Sequence, residues 1–253
     1  MKNYIINNHI WSLIPARSGS RKIKEKNLQK ILNYSLVGHA INASKSSKLI
    51  SRTFVSTDSI KIKQEALKFG AEVPFLRSKK NSGNFSTDYD VVLEFVIKIH
   101  QIQNILPKYI IYLRPTTPMR ESKILDKAII KFKKLKNYES LVAVDKMNEP
   151  VHKKFFIGNN KLKPIFSNMS IDDGNKPRQL FPASYTLNGY LDIIRTKNIF
   201  KKKYLGTKCF PFITPKSIDI DDQFDLSYAR HVAKHFYKYN KKSKRKNLIL
   251  HGK

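Results

Sequence analysis

Short, almost continuous apolar runs alternate with amphipathic segments over about the first 150 residues of the chain. Such runs predict strands buried on both faces, and apolar residues at helical spacing predict helices between them. The predicted strands are Trp11–Ala16, Arg52–Thr57, Glu72–Leu76, Tyr109–Leu113 and Ser140–Val144. The predicted helices are Ser35–Ser46, Ser59–Phe69, a helix capped by Thr87 or Asp88, and Ser122–Leu135.

The pattern changes after about Pro150. Two short apolar runs flank Gly158-Asn159-Asn160 and predict a β-hairpin, and residues 167–184 are polar and loop-like. Further strands are predicted at Tyr190–Ile194 and Phe210–Thr214, and a last helix from Asp222 to about Tyr239. With no internal repeat or clear linker, we expect one domain over 10–236, an inserted arm around 150–184, and a basic tail over 237–253.

Repeated strand–helix units indicate an α/β fold with a Rossmann-like, mostly parallel sheet flanked by helices. Ligands of such sheets bind beyond the carboxyl ends of the strands. The polar segments that follow the predicted strands are therefore the candidate ligand-binding loops: Arg17–Asn27, Thr57-Asp58, Arg77–Asp88 and Arg114–Arg120.

The composition indicates a globular protein without membrane insertion. A hydrophobic fraction of 41% in 253 residues is enough for a core, and no segment approaches the roughly 18 apolar residues of a membrane span. No signal peptide is visible. The single cysteine, Cys209, excludes an internal disulfide and favours a cytoplasmic location.

The formal net charge of +30 raises the alternative of a non-enzymatic, nucleic-acid-binding protein. The lysines are spread along the whole chain, however, and only the stretch 241–246 is a dense basic run. Nucleic-acid-binding segments are usually more concentrated or carry interleaved aromatic residues. Nucleic acid is therefore the less favoured partner, and a general positive field would equally attract small anionic substrates.

The segment Ile14–Arg21 is typical of a phosphate-binding loop. An apolar strand ends there in small residues whose backbone N–H groups can approach phosphate oxygens, and Arg17, Arg21 and Lys26 supply positive charge. The loop contains neither GxxxxGK[ST] nor GxGxxG. Without further evidence it is equally well interpreted as a solvated basic turn.

A second candidate is the alternation Ile218-Asp219-Ile220-Asp221. In a strand, Asp219 and Asp221 would project from the same face. Paired carboxylates can hold Mg²⁺ together with substrate phosphates and water. The alternative is an exposed edge strand with two solvated acids.

Several motifs in a fixed order give the chain a family resemblance. They are Ile-Pro-Ala-Arg-x-x-Ser, Lys26-Asn27, Val-Ser-Thr-Asp, Pro-Phe-Leu-Arg, Leu-Arg-Pro-Thr-Thr-Pro-Met-Arg, Pro-Arg-Gln, Asn-Gly-Tyr and Ser-Ile-Asp-Ile-Asp. Together they resemble the acylneuraminate cytidylyltransferases, or CMP-sialic acid synthetases, over about residues 10–236.

The resemblance implies that CMP is transferred from CTP to the anomeric hydroxyl of a sialic-type nine-carbon keto acid, an N-acylneuraminate. Pyrophosphate leaves, and the CMP-sugar serves surface glycan synthesis. No covalent enzyme intermediate is expected, so catalysis would depend on positioning and charge stabilisation. The implied fold is the glycosyltransferase-A-like nucleotidyltransferase fold of a homodimer, with the β-hairpin as dimerisation arm.

The resemblance also implies roles for individual residues. Arg17, Lys26 and Arg21 would act catalytically at the triphosphate, and Asp219 and Asp221 would bind Mg²⁺. The implied cytidine-binding residues are Ala16, Asn27, Arg77 and Ser86. The implied sugar-binding residues are Arg114, Lys153, Gln179 and Asn188.

Departures from the family pattern keep other interpretations open. Arg114 replaces a common glutamine, and Asp192 ends Asn-Gly-Tyr-Leu-Asp where Asn-Gly-Ala-Ile-Tyr is frequent. A pseudaminic, legionaminic or Kdo-type acid is therefore an alternative substrate. Lys22, Lys24 and Phe85 also depart from the pattern, which leaves a fold-retaining protein without turnover as a further alternative.

Overall fold

The computed structural model describes residues 4–235 and has a six-stranded central sheet. In chain order the strands are β1 (Ile10–Pro15), β2 (Lys30–Ile31), β3 (Tyr34–Ser35), β4 (Arg52–Ser56), β5 (Tyr109–Tyr112), β6 (Ser140–Lys146), β7 (Phe155–Gly158), β8 (Lys161–Pro164), β9 (Tyr185–Arg195) and β10 (Cys209–Ile213). The helices are α1 (Leu36–Lys45), α2 (Ile60–Lys68), α3 (Asp88–Gln103), α4 (Ser122–Lys134), α5 (Thr196–Ile199) and α6, described over 223–235.

The central sheet has the spatial order β10-β6-β9-β5-β1-β4. Strands β5, β1 and β4 are parallel to one another, as are β6 and β10. Only β9 is antiparallel to its neighbours, and it joins the two parallel groups. The predicted mostly parallel α/β sheet is therefore confirmed. The chain passes from β1 to β4 on one side and then to β5 on the other, which creates the kind of switch point where α/β proteins bind ligands.

Two apolar cores cover the faces of this sheet. Residues of α1, α2 and α4 pack on one face, with Val37, Ile41 and Phe132 among them. Residues of α3 and α5 pack on the other face around Trp11 and Phe95. A smaller third cluster joins α6 to the loop after β1. Strands β1, β4, β5 and β6 are buried along most of their length because both faces are covered.

Three local predictions from the sequence are wrong. Segment Glu72–Leu76 forms a single bridge, between Glu72 and Phe54, rather than a strand. Asp219 and Asp221 lie in irregular chain outside any sheet. Asp58 lies between a predicted strand and a predicted helix, where a helix N-cap is the simplest interpretation, but it does not cap α2, because Ser59 accepts the hydrogen bond from the backbone N–H of Ile62.

The predicted hairpin is present as β7 and β8. Asn159 and Asn160 have φ of 53° and 57°, which fits a two-residue turn with both central residues in the left-handed region. The hairpin exposes Phe156 and Ile157. Its role in dimerisation stays a prediction.

The predicted tail, 237–253, and the predicted end of the last helix lie outside the described residues. Within 4–235, no helix combines the length and the apolar character needed to cross a membrane.

Candidate active site

A cavity of about 280 Å³ lies at the carboxyl ends of β1, β4 and β5, where the topology predicts a ligand. The loop after β1, the segment 77–86, the first turns of α3 and the loop after β5 contribute to its wall. The lining residues are Pro15, Arg17, Gly19, Ser20, Lys26, Asn27, Arg77, Asn81, Gly83, Asn84, Ser86, Asp88, Val91, Tyr112, Arg114, Pro115 and Thr116.

The lining is strongly cationic. The lining contains four basic side chains and one carboxylate, that of Asp88. The basic residues are Arg17, Lys26, Arg77 and Arg114. The first helical turn of α3 also lies at the cavity, so the positive end of a helix dipole adds to this charge. Such a cavity attracts polyanionic ligands such as a nucleoside triphosphate.

The loop after β1 is held in place by hydrogen bonds. Asp58 accepts one from the backbone N–H of Ser18 and one from its hydroxyl, both at 2.7 Å. Nη1 of Arg17 donates to the carbonyl oxygen of Gly83 at 2.5 Å, and Nδ2 of Asn27 donates to the carbonyl oxygen of Arg17 at 2.8 Å. The Ser18 amide predicted to approach phosphate is thus already bonded to Asp58, and the side chains of Arg17 and Asn27 remain at the cavity.

Arg77 is buried at the base of the cavity. Its Nε donates to the hydroxyl of Ser56 at 3.0 Å, and its Nη2 donates to the carbonyl oxygen of the same residue. Burial lowers the pKa of Arg77 below its ordinary value, although Asp58 and Glu94 act in the opposite direction. These bonds fix the guanidinium against the end of β4.

Lys26 connects the cavity to the acidic segment. Its Nζ donates to the carbonyl oxygen of Ile220 at 2.7 Å and lies 3.5 Å from Oδ1 of Asp221. The backbone N–H of Ile220 donates to the carbonyl oxygen of Thr116, a lining residue, at 2.8 Å. Asp219 and Asp221 therefore lie beside the mouth of the cavity although they do not line it.

The two carboxylates suit a magnesium ion that is completed by a ligand. Both are exposed and flank the buried Ile220, whose carbonyl oxygen accepts from Lys26. In the described part of the chain, no cluster of three or more His, Cys, Asp or Glu side chains could hold a metal ion by itself. Mg²⁺ is commonly held by one or two carboxylates plus substrate phosphates.

Arg114 belongs to an ionic cluster that sequence reasoning missed. Its Nη2 lies 2.5 Å from Oδ2 of Asp88 and 2.9 Å from Oδ2 of Asp192. Tyr112 donates to Asp88 and Tyr204 donates to Asp192, at 2.8 and 2.9 Å. Burial would lower the pKa of Arg114, but Asp192 and Asp88 raise it above its ordinary value. A signal was present in the sequence, since Arg114 and Asp192 both depart from the family pattern.

Arg120, at the end of the loop after β5, is the second missed residue. It is buried and donates to the carbonyl oxygens of Tyr190, Arg114 and Gly189. Gly189 has φ of 67°, and a Cβ there would lie 2.9 Å from Oγ1 of Thr117. Arg120 thus ties the cavity loop to β9. Burial lowers its pKa to about 9, and its Nη1 has no hydrogen-bond partner among the described residues.

Other predicted residues do not line this cavity. Ala16 is buried and donates its backbone N–H to Ser56, whereas Arg21 is exposed. Asn188 uses its amide on Asp145 and Thr214. Nζ of Lys153 donates to the carbonyl oxygen of Lys176.

Gln179 lines a separate cavity of about 600 Å³ at the base of the arm, with Lys146, Arg178 and Lys216. The structure therefore brings Arg17, Lys26, Asn27, Arg77, Ser86 and Arg114 together at one cavity. It leaves the predicted sugar-binding residues Lys153, Gln179 and Asn188 outside that group.

Comparison with known proteins assigns the chain to a family. The family model described as cytidylyltransferase matches residues 11–245. A pseudaminic acid cytidylyltransferase from Campylobacter jejuni is 27% identical over 235 residues, covering 91% of this chain and 97% of that protein. A CMP-N,N'-diacetyllegionaminic acid synthase from Legionella pneumophila is 28% identical over 221 residues, covering 85% and 92%.

An N-acylneuraminate cytidylyltransferase from Escherichia coli is 27% identical over 227 residues, covering 87% of this chain and 51% of that protein. Among solved structures, a CMP:2-keto-3-deoxy-manno-octonic acid synthetase complexed with CTP superposes with a TM-score of 0.68 at 14% identity, covering 90% of this chain and 99% of that chain. A 4-diphosphocytidyl-2C-methyl-D-erythritol synthase from Anaerococcus prevotii gives a TM-score of 0.61 at 13% identity, with 90% and 96% covered. These structures share the fold of the chain.

Proposed function

Because the chain belongs to the cytidylyltransferase family, we propose that it transfers CMP from CTP to the anomeric hydroxyl of a nine-carbon keto sugar acid and releases pyrophosphate. The observation that carries this proposal is the cationic cavity at the ends of β1, β4 and β5, whose positive charge complements the negative charge of a triphosphate. The reaction needs no enzyme nucleophile, because the sugar hydroxyl attacks the α-phosphorus and pyrophosphate is the leaving group.

The basic residues of the cavity supply the electrostatic part of this mechanism. Arg17 and Lys26 would hold the triphosphate and stabilise the charge that develops on the α-phosphate and on pyrophosphate. Arg21, exposed on the same loop, would assist them. Asn27, Arg77, Ser86 and the backbone at Ala16 would hold the cytidine, and their fixed hydrogen bonds reduce the reorganisation needed on binding.

Asp219 and Asp221 would hold Mg²⁺ beside the phosphates. When bound, the ion supplies charge neutralisation at the phosphate oxygens and lowers the pKa of the attacking hydroxyl. Lys26 lies between Asp221 and the cavity, so it would orient this carboxylate while donating to the phosphates. Arg114 contributes to the sugar side of the same cavity.

Three sugar acids are candidates for the acceptor. The relatives named above act on pseudaminic acid, on N,N'-diacetyllegionaminic acid or on N-acylneuraminate, and they are equally similar to this chain at 27–28% identity. The motifs of the chain favour an acid of the N-acylneuraminate type. The two other acids are the alternatives that an experiment has to separate.

We also propose that the enzyme is a homodimer. The exposed apolar side chains of the hairpin, Phe156 and Ile157, would be covered by a second copy. Lys153 and Gln179 lie on the same arm outside the cavity, so they would reach a sugar acid only in the partner's site.

A substrate panel tests the proposed function. Purified protein is incubated with Mg²⁺, one nucleoside triphosphate and one sugar acid, and pyrophosphate release is measured. We expect release with CTP and a nine-carbon acid, and none when UTP or ATP replaces CTP. Release that does not require the sugar acid, or the same rate with every triphosphate, would contradict the proposal.

The metal assignment needs its own variants. We expect Asp219→Asn and Asp221→Asn to lower the rate by two or three orders of magnitude, as the loss of an electrostatic stabiliser typically does. Asp172→Asn, an exposed acid on the arm, is the matched control and should keep the full rate. Equal rates in all three variants would exclude Asp219 and Asp221 as magnesium ligands.

A further inference from the structure

The ionic cluster around Arg114 has a charge that does not suit binding the carboxylate of a sugar acid, although Arg114 is one of the implied sugar-binding residues. One guanidinium is shared by two carboxylates, those of Asp88 and Asp192, so the cluster carries a formal charge of −1. A further carboxylate placed against it would add a like charge. The excess of positive charge in the cavity lies instead around Arg17, Lys26 and Arg77.

Asp192 is a buried carboxylate paired with Arg114. The side chain of Asp192 is only 8% exposed, and its partners are Nη2 of Arg114 and the hydroxyl of Tyr204. A buried carboxylate is tolerated only with such partners. The two residues that depart from the family pattern at these positions, Arg114 and Asp192, are therefore paired with each other in space.

The pairing leaves a defined part of Arg114 free. Both carboxylates hold Nη2, whereas Nε and Nη1 donate no hydrogen bond to any residue within 4–235. The side chain is 29% exposed and lines the cavity. The cluster thus presents fixed N–H donors beside an Asp88 oxygen that can accept a hydrogen bond. That combination matches an uncharged hydroxyl or acylamino group.

Provided that the chain has the proposed function, we propose that the Asp88–Arg114–Asp192 cluster is its specificity element. Arg114 binds an uncharged oxygen of the sugar acid, and Asp88 and Asp192 are positioning residues that orient its guanidinium. The carboxylate of the sugar is held elsewhere. Because the candidate acids share the carboxylate and differ in their hydroxyl and acylamino groups, this cluster decides which of them is accepted.

Ratios of kcat/KM between sugar acids test this assignment. Pseudaminic, legionaminic and N-acetylneuraminic acids are compared with the native protein and with Arg114→Gln, Asp192→Asn and Asp88→Asn. We expect the ratio between the best and second-best acid to change by about tenfold or more, since an unpaired polar group discriminates strongly between substrates. The KM for CTP should stay within about twofold, because the triphosphate is held by other residues.

The Arg52–Glu72 ion pair provides the matched control. It also joins a guanidinium to a carboxylate, but it lies at the amino-terminal end of β4, away from the cavity. Arg52→Gln and Glu72→Gln should leave the ratio between acids unchanged. Asp88 is more exposed than Asp192, so Asp88→Asn still tests the cluster if the Asp192→Asn variant fails to fold. Thermal stabilisation by CTP checks that each variant is folded.

Each result decides the assignment. An altered ratio in the cluster variants alone supports it. An equal loss for every acid would show that Arg114 holds the shared carboxylate, and an unchanged ratio would show that the cluster only supports the fold; both overturn the proposal. If the native protein accepts none of the acids, the proposed function fails first, and this inference fails with it.

Discussion

At the scale of single residues, charge is concentrated where the sheet ends. Arg17 and Lys26 from the loop after β1, Arg77 from the segment 77–86 and Arg114 from the loop after β5 meet at one cavity. Each is held by bonds to backbone or carboxylate groups. Holding like charges together costs free energy in the empty protein. A bound triphosphate would relieve that repulsion, so the arrangement favours an anionic ligand.

Lys26 allows the most direct test of a catalytic side chain. We expect Lys26→Met to lower kcat/KM for CTP on the order of 10²-fold, because a buried cation at a developing phosphate charge is lost. Lys24→Met removes an exposed lysine two residues away and should have little effect. Similar kinetics for the two variants would exclude Lys26 from the reaction.

Arg120 tests the stability of the cavity loop. Replacement by lysine leaves buried carbonyl oxygens of Arg114, Gly189 and Tyr190 without donors. We expect Arg120→Lys to lower the free energy of unfolding by about 2–4 kcal/mol in urea denaturation. Arg230→Lys also removes bonds to a backbone carbonyl, but at an exposed position, and should cost less than about 1 kcal/mol. Equal losses would mean that the buried bonds of Arg120 add no stability.

At the scale of elements, the sequence predicted the strands and helices whose apolar periodicity or capping residues are visible locally. The strands β1, β4, β5 and β6 are mostly buried and contain apolar runs, and Thr87 forms the capping box of α3 with Asp90. Segment Glu72–Leu76 has a strand-like composition, but it meets β4 at a single bridge. The antiparallel direction of β9 depends on distant partners, so local sequence could not determine it.

The same limit applies to the candidate site. The polar segments that follow the predicted strands contain Arg17, Lys26, Asn27 and Arg77, so sequence alone could place these residues at the carboxyl edge of the sheet. The partners of Arg114 come from α3 and β9, far away in sequence, and only the folded chain brings Asp88 and Asp192 together. Lys153, Gln179 and Asn188 were inferred from the resemblance alone, and the structure does not bring them to the cavity.

Glu139, just before β6, contacts the residues just before β10, and this contact gives a pH-dependent prediction. Glu139 accepts hydrogen bonds from the backbone N–H groups of Thr207 and Lys208, which lower its pKa from 4.5 to about 2. Its stabilisation is therefore complete above about pH 4.5 and is lost as the pH falls towards 2. We expect Glu139→Gln to lower the melting temperature at pH 7, with a difference from the native protein that narrows below pH 4.5.

Glu149→Gln controls for the change in net charge. Glu149 has a 3.9 Å contact with Lys154 on the protein surface. Its removal should affect the melting temperature little at either pH. A Glu139→Gln difference that is constant across the acid range would contradict the assigned backbone hydrogen bonds.

At the scale of the whole molecule, the net charge of +30 acts on every anion in solution. In the cavity at the ends of β1, β4 and β5, basic side chains held by hydrogen bonds add to this general attraction. The net charge attracts anions of every kind. The residues of the family motifs and the ionic cluster at Arg114 select among them.

Salt dependence tests the role of this field. Raising the salt concentration from about 0.05 to 0.5 M should increase the KM for CTP several-fold, because screening weakens the attraction of an anion, while kcat changes less. Steady-state kinetics at fixed Mg²⁺ measure both values. A KM for CTP that is independent of salt would show that the net charge plays no part in substrate binding.

The product of the reaction tests the central claim most directly. The native protein is incubated with CTP, Mg²⁺ and a nine-carbon sugar acid, and the products are measured by mass spectrometry together with pyrophosphate. We expect a CMP-sugar and pyrophosphate in equal amounts, with neither formed when the sugar acid is omitted. Pyrophosphate without a CMP-sugar, or no product with any of the nine-carbon acids, would contradict the account.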